Sequence, residues 1–138
     1  MSLISVEVLL VIISPNLERP GESLFLLEEA EGKMRLPVAP LGEQESVQVA
    51  GDLLFAWTGH KTYLQSGWLE LEPCRLRDSS SRIIDGIRVL GIPYACTVSR
   101  ELTPGNPRGQ WFSVPDLVAR PGLDADTREI LLDACTTV

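Results

Sequence analysis

The residues of this 138-residue chain best suited to chemistry are five carboxylates, Glu43, Glu45, Asp52, Glu70 and Glu72. Hard divalent cations such as Mg²⁺ take oxygen ligands, so a cluster drawn from these five could build a metal site. Glu70 and Glu72 alternate onto one face of a strand, a pattern that equally describes the wet side of a sheet. His60 is the sole histidine, so any histidine-dependent nucleophile or zinc scheme must run through it. Its place just past Gly59 fits a capping or surface role better. Ser79, Ser80 and Ser81 read as a turn. No glycine-rich phosphate loop of a recognised spacing occurs. Arg35, at a strand edge, is the candidate contact for a small anionic ligand.

The rest of the composition narrows the classes. A formal net charge of −7 repels nucleic acid and anionic lipid unless a basic patch intervenes. None is evident, because Arg75, Arg77, Arg82 and Arg88 are interspersed with Asp78 and Asp85. Neither a nucleic-acid partner nor a membrane is therefore expected. Cys74, Cys96 and Cys135 are odd in number, widely spaced and without a Cys-x-x-Cys, so they suggest buried or half-buried thiols in a reducing cytoplasm. The apolar run 8–13 is too short to span a bilayer and lacks the flanks of a signal peptide. A length of 138 residues suits one domain, and 44% hydrophobic with 22% charged residues is an ordinary globular balance.

Positioning elements can be read in order. Residues 6–13 are rich in β-branched side chains and predict a buried strand, with 23–27 as its hairpin partner. The acidic stretch 28–33 fits a solvated connection, and Arg35-Leu36-Pro37 an extended segment. Residues 39–43 read as a loop. From 45 to 57, Val47, Ala50, Leu54 and Trp57 recur at helical spacing, with Ser46 as a candidate cap and Gly59 as the terminator. Gly51 within that helix implies close packing or a shorter helix. Residues 68–76 are strand-like, 78–81 a turn, and 83–98 one long strand or two broken near Gly91-Ile92-Pro93. Residues 103–107 are a loop, and 109–117 a short strand entering a turn. A last helix from 124, capped by Asp124 or Asp126, would bury Ile130, Leu131 and Ala134. Strands outnumber helices without alternating with them, which points to an α+β chain, an α/β/α sandwich around a mixed β-sheet.

Several of these pieces together resemble the Nudix family, whose signature reads Gly-x5-Glu-x7-Arg-Glu-U-x-Glu-Glu-x-Gly-U, with U apolar and a Leu-Pro-Gly lead-in. Leu36-Pro37 matches the lead-in, Ala39 stands at the first glycine, Glu45-Ser46 is similar to the usual Gly-Glu-Ser/Thr, and Thr58-Gly59 closes the helix. Residues 109–117 are similar to the Trp-Phe stretch that precedes the terminal helix. The departures fall on the chemistry: counting back from Gly59, Asp52 replaces the arginine, Leu53 the first glutamate, and Ala56 and Trp57 the paired glutamates. In the family those glutamates lie at i, i+3 and i+4 on one helical face. There they hold the Mg²⁺ that assists pyrophosphate cleavage. Leucine, alanine and tryptophan ligate nothing, so Leu53 to Trp57 read as a packing face, covered by another segment or a partner subunit.

The resemblance thus implies a Nudix-like domain over 1–138 without the usual hydrolysis, a pseudoenzyme with no assigned catalytic residue, metal or cofactor. It would serve as a binding or interaction module for a nucleotide-like ligand. Arg35, Glu43 and Glu45 are its candidate ligand or displaced-metal residues. Two rivals are a Mg²⁺-dependent hydrolase of a nucleoside diphosphate derivative using carboxylates outside the usual helix, and a homodimerisation domain without ligand.

Overall fold

The computed structural model describes residues 4–60, 73–76, 80–99, 108–119, 122–123 and 125–137. Its centre is β1 (Ile4–Pro15), whose alternation sends successive side chains to opposite faces of the sheet. Val8, Leu10 and Ile12 join one core cluster and Leu9, Val11 and Ile13 the other. A strand buried on both faces needs an apolar residue at every position, which is what 8–13 supplies.

β1 is flanked on one side by β2 (Ser23–Ala30), antiparallel, with Ile13 opposite Phe25. On the other side it pairs in parallel with β7 (Ile87–Thr97), from Ile4–Arg88 to Ile13–Thr97. The early half of β1 also pairs with β4 (Val38–Pro40). β2 continues into a tight turn and β3 (Lys33–Arg35), and its first half carries β8 (Gln110–Ser113). β5 (Cys74–Arg75) and β6 (Ser80–Ile84) share the far side of β7. The sheet is mixed: among the described strands the β1–β7 pair is parallel and the other pairs are antiparallel.

Helix α1 (Ser46–Thr58) covers one face, contributing Val49, Ala50, Leu53, Leu54 and Trp57 to the cluster with Val8 and Tyr94. Helices α2 (Val114–Ala119) and α3 (Ala125–Thr137) cover the other through Leu117, Ile130, Leu131 and Ala134. The layers are therefore α/β/α. α2 is started by a reciprocal capping pair: the Asp116 N–H donates to Ser113 Oγ at 3.3 Å, and the Ser113 N–H to Asp116 Oδ2 at 3.5 Å.

Several local expectations change. The acidic connection 28–33 is strand up to Ala30, then a two-residue turn in which Glu31 and Gly32 both have positive φ, the twist a short hairpin needs. Residues 38–40 form a strand because β1 offers them a ladder. β6 and β7 are separated at Asp85-Gly86, again both at positive φ, and β7 runs unbroken through Gly91-Ile92-Pro93. Pro93 is tolerated because it lies opposite neither β6, which ends its pairing at Gly91, nor β5, which begins at Tyr94. Ser46 is not the cap of α1. Glu45 holds that position without a side-chain bond, and the Ser46 hydroxyl sits 2.6 Å from the Tyr94 hydroxyl, tying α1 to β7. Gly59 ends the helix in the left-handed region at φ 80°, donating its N–H to the Phe55 carbonyl. α1 runs straight through the buried Gly51. Of the strand expected over 68–76, only Cys74–Arg75 is described as strand, and 68–72 lie outside the described residues, as do 78–79, the loop at 103–107 and a cap at Asp124. Residues 80 and 81, expected in a turn, open β6 because β7 offers them a ladder.

Candidate functional site

The four substituted helix positions separate into two pairs. Leu53 and Trp57, a turn apart, are buried in the core cluster of α1, with Trp57 only 4% exposed. Asp52 and Ala56 face outward. Of the stretch read as a packing face, Leu53, Leu54 and Trp57 are buried while Phe55 and Ala56 are exposed, because the helical turn carries those two away from the sheet. What lies over Trp57 comes from the chain itself. Arg108, at the entry to β8, donates its backbone N–H to the Trp57 carbonyl at 2.8 Å and lays its guanidinium 4.8 Å from the indole ring centroid. The last turn of α1 has no basic residue of its own, so Arg108 supplies the cation that a helix C-terminus favours. Gly109 approaches so closely that a Cβ there would lie 2.7 Å from the Leu27 carbonyl oxygen and 2.9 Å from Trp57 Cζ3.

The Arg108 guanidinium is held by Glu28 through two bonds, Nε to Oε2 at 2.8 Å and Nη2 to Oε1 at 3.2 Å. That fork holds the Glu28 carboxyl below the usual carboxylate range, with the nearby Arg35 charge adding to the effect. The sign follows directly. A depressed carboxylate contributes stability above its ordinary pKa of 4.5 that is lost as pH falls through the lower folded value. Because the pair is solvent-exposed, its worth is about 0.5 kcal/mol. Acid unfolding below pH 4.5 should accordingly begin at slightly lower pH in the parent than in Arg108→Gln, as followed by circular dichroism.

A Mg²⁺ ion of the kind the resemblance implies does not fit these residues. Three of the four positions offer no oxygen, and a guanidinium stands over Trp57 where the family places a carboxylate. Among the described residues, no group of three or more His, Cys, Asp or Glu side chains is placed to hold a metal ion. Glu43 and Glu45 are exposed in the approach to α1 and line no described cavity with Arg35. Glu70 and Glu72 lie outside the described residues. His60 is half-buried, and burial lowers its pKa; its backbone N–H donates to the Thr58 hydroxyl, which in turn bonds the Leu54 carbonyl. Cys96 is buried, its thiol pushed up to about 12 by desolvation and the nearby Cys74, whereas Cys74 is exposed rather than buried as expected.

Arg35 has a different setting. It lines a cavity of about 370 Å³ with Lys33 and Arg82, over an apolar floor of Leu9, Leu36, Val38 and Ile130. Arg82 is fixed by an ion pair to Glu7 at 2.6 Å, while its buried Nε has no hydrogen-bond partner. Glu28, which does not itself line the cavity, stands opposite Arg35 in the β2–β3 ladder and bonds Arg108. Of the residues around this cavity and the α1 cluster, the sequence reading singled out Arg35 as a candidate and did not single out Lys33, Arg82, Arg108, Glu7 or Glu28. The Lys33-x-Arg35 alternation on one strand face was the only local signal.

No family model matches the sequence, and no curated protein matches it. Solved structures do. The Caenorhabditis elegans Ap4A hydrolase, in a binary complex, superposes with TM-score 0.68 at 13% identity, over 94% of this chain and 93% of that one. The C-terminal domain of mouse MUTYH, in complex with human PCNA, gives TM-score 0.66 at 15% identity over 93% and 85%. The NUDIX domain of Shewanella oneidensis NrtR, complexed with ADP-ribose, gives 0.63 at 14% over 97% and 86%. This chain has the Nudix fold.

Proposed function

We propose that the protein is a Nudix-fold binding module that takes a small anionic, nucleotide-like ligand in the Lys33–Arg35–Arg82 cavity and does not perform Mg²⁺-dependent pyrophosphate hydrolysis. The observation that carries this reading is the burial of Leu53 in the core cluster and of Trp57 beneath Arg108 and Gly109. Those residues replace the carboxylates on which a metal would depend, and they are fixed in the core. The cavity volume of about 370 Å³ lies within the range of small-molecule sites, and its cations can meet an anion without a metal. The ADP-ribose complex of the NrtR domain supports a ligand-binding role on this fold. A reducing, cytoplasmic setting belongs to this reading.

A second reading, homodimerisation, draws on the sheet surface beyond α1. Ile4 and Ile83, 59% and 70% exposed, flank Arg88 across three adjacent strands. Such an apolar pair at a surface suits a second copy.

The test offers nucleoside di- and triphosphates and ADP-ribose with Mg²⁺, Mn²⁺ or EDTA, following thermal shift and phosphate release together. Metal-independent stabilisation without turnover is expected. Metal-dependent release that vanishes in Glu45→Gln would establish the hydrolase rival instead. No ligand response, with a concentration-dependent dimer by ultracentrifugation, would favour the second copy.

A further inference from the structure

We infer that the cavity is built for a phosphate monoester, recognised by Lys33 and Arg35 without a metal, on a body that presents a hydrogen-bond acceptor to Arg82. This rests on the binding reading above and assigns its ligand class. Lys33 and Arg35 are two residues apart on β3 and therefore share one face of the strand, about 7 Å apart along it. A single phosphate can meet both. Neither is ion-paired among the described residues, and both line the cavity. Arg82 differs, because the Glu7 carboxylate already takes its Nη2 at 2.6 Å. The Arg82–Glu7 pair is neutral as a unit, and so is the Arg108–Glu28 pair opposite Arg35, so Lys33 and Arg35 leave a charge of about +2 at the cavity. That matches a phosphate monoester, which carries about −1.5 to −2 at neutral pH.

The remaining features set the body of the ligand. The buried Nε of Arg82 is a donor with no hydrogen-bond partner, an arrangement that favours a ligand carbonyl, ring nitrogen or hydroxyl oxygen at that end. Between the two ends lie Leu9, Val38, Ile84 and Ile130, a floor for a flat or apolar ring. A volume of about 370 Å³ is near the low end for ligand sites, which suits a mononucleotide-sized molecule better than a dinucleoside polyphosphate. Glu7 acts as a built-in competitor: it orients Arg82 and discourages a second phosphate from settling there.

Isothermal titration calorimetry in EDTA tests this with adenosine 5′-monophosphate, adenosine, ribose 5-phosphate and ADP-ribose as probes. The monophosphate should bind at least about tenfold tighter than adenosine, and Lys33→Ala/Arg35→Ala should remove that advantage, the loss expected of charge-assisted bonds. Because both side chains are exposed, the double variant should keep the parent's melting temperature. Adenosine 5′-monophosphate binding above ribose 5-phosphate would assign the body to a nucleoside; equal binding would assign the class to sugar phosphates, with the phosphate site unchanged. Glu7→Gln should admit ADP-ribose several-fold better. Adenosine binding as tightly as its monophosphate, or a Lys33→Ala/Arg35→Ala variant with unaltered affinity, would overturn the inference. ADP-ribose binding in the parent with no response to either monoester would overturn it while leaving the binding module standing. Silence from every probe would sink both.

Discussion

Replacing Trp57 with alanine is expected to destabilise the protein by about 3–5 kcal/mol, the cost of deleting a large buried aromatic and leaving a cavity. The indole packs among Leu53, Leu54 and the α1-facing side of the sheet, and its removal also strands the Arg108 guanidinium that lies over the ring. That contact adds about 0.5–1 kcal/mol at an exposed site. For a chain of this length the melting temperature should fall by roughly 10 °C or more, readable by calorimetry. A catalytic residue of a working site would show the opposite pattern, activity lost and stability kept or raised. A variant that melts with the parent would mean that the indole is not a core element. The packing account of α1 would then be wrong.

Gly109→Ala is the second large effect, for two independent reasons. The backbone there has φ +88°, a conformation that costs a residue with a Cβ about 1–3 kcal/mol. The new methyl would also sit 2.7 Å from the Leu27 carbonyl oxygen, inside the β2–β8 ladder, where the backbone cannot yield without losing register. About 3 kcal/mol or more of destabilisation is expected in total, measured by urea denaturation. The second close contact, Trp57 Cζ3 at 2.9 Å, permits a sharper test. In the Trp57→Ala background that contact is gone while the carbonyl clash and the strain remain. The double variant should therefore be less destabilised than the sum of the singles, by about 0.5–1 kcal/mol. Strict additivity would show that Gly109 and Trp57 do not press on each other.

Both effects concern the packing around the end of α1, where the family signature carries carboxylates. That difference was legible in the sequence, because side-chain type is a local fact. Leu53, Ala56 and Trp57 cannot ligate a metal wherever the fold puts them. The helix carrying them was also legible, from its 3.6-residue spacing and the Gly59 stop, and it runs one residue further than Trp57. β1 was legible for the same kind of reason, an unbroken apolar run that needs cover on both faces.

Strand boundaries were less legible wherever pairing outweighed propensity. Glu28, Glu29 and Ala30 look like a solvated connection in isolation, yet they pair with Arg35, Met34 and Lys33 through a two-residue turn. Val38–Pro40 is a strand only because β1 offers it hydrogen bonds. Asp85-Gly86 carried a hairpin signal that the more conspicuous Gly91-Ile92-Pro93 obscured.

The sequence by itself thus determined the layered architecture and the absence of carboxylates from three of the four substituted helix positions. Only the tertiary structure decided what occupies that place and where a ligand's charge can be met. Arg108 reaches Glu28 across a separation of 80 residues, and Arg82 reaches Glu7 across 75. Such pairs follow from strand order and register, and register is a cooperative property of the whole sheet rather than of any window along the chain. Lys33, Arg35 and Arg82 share a cavity for that reason alone, and the binding reading depends on their doing so.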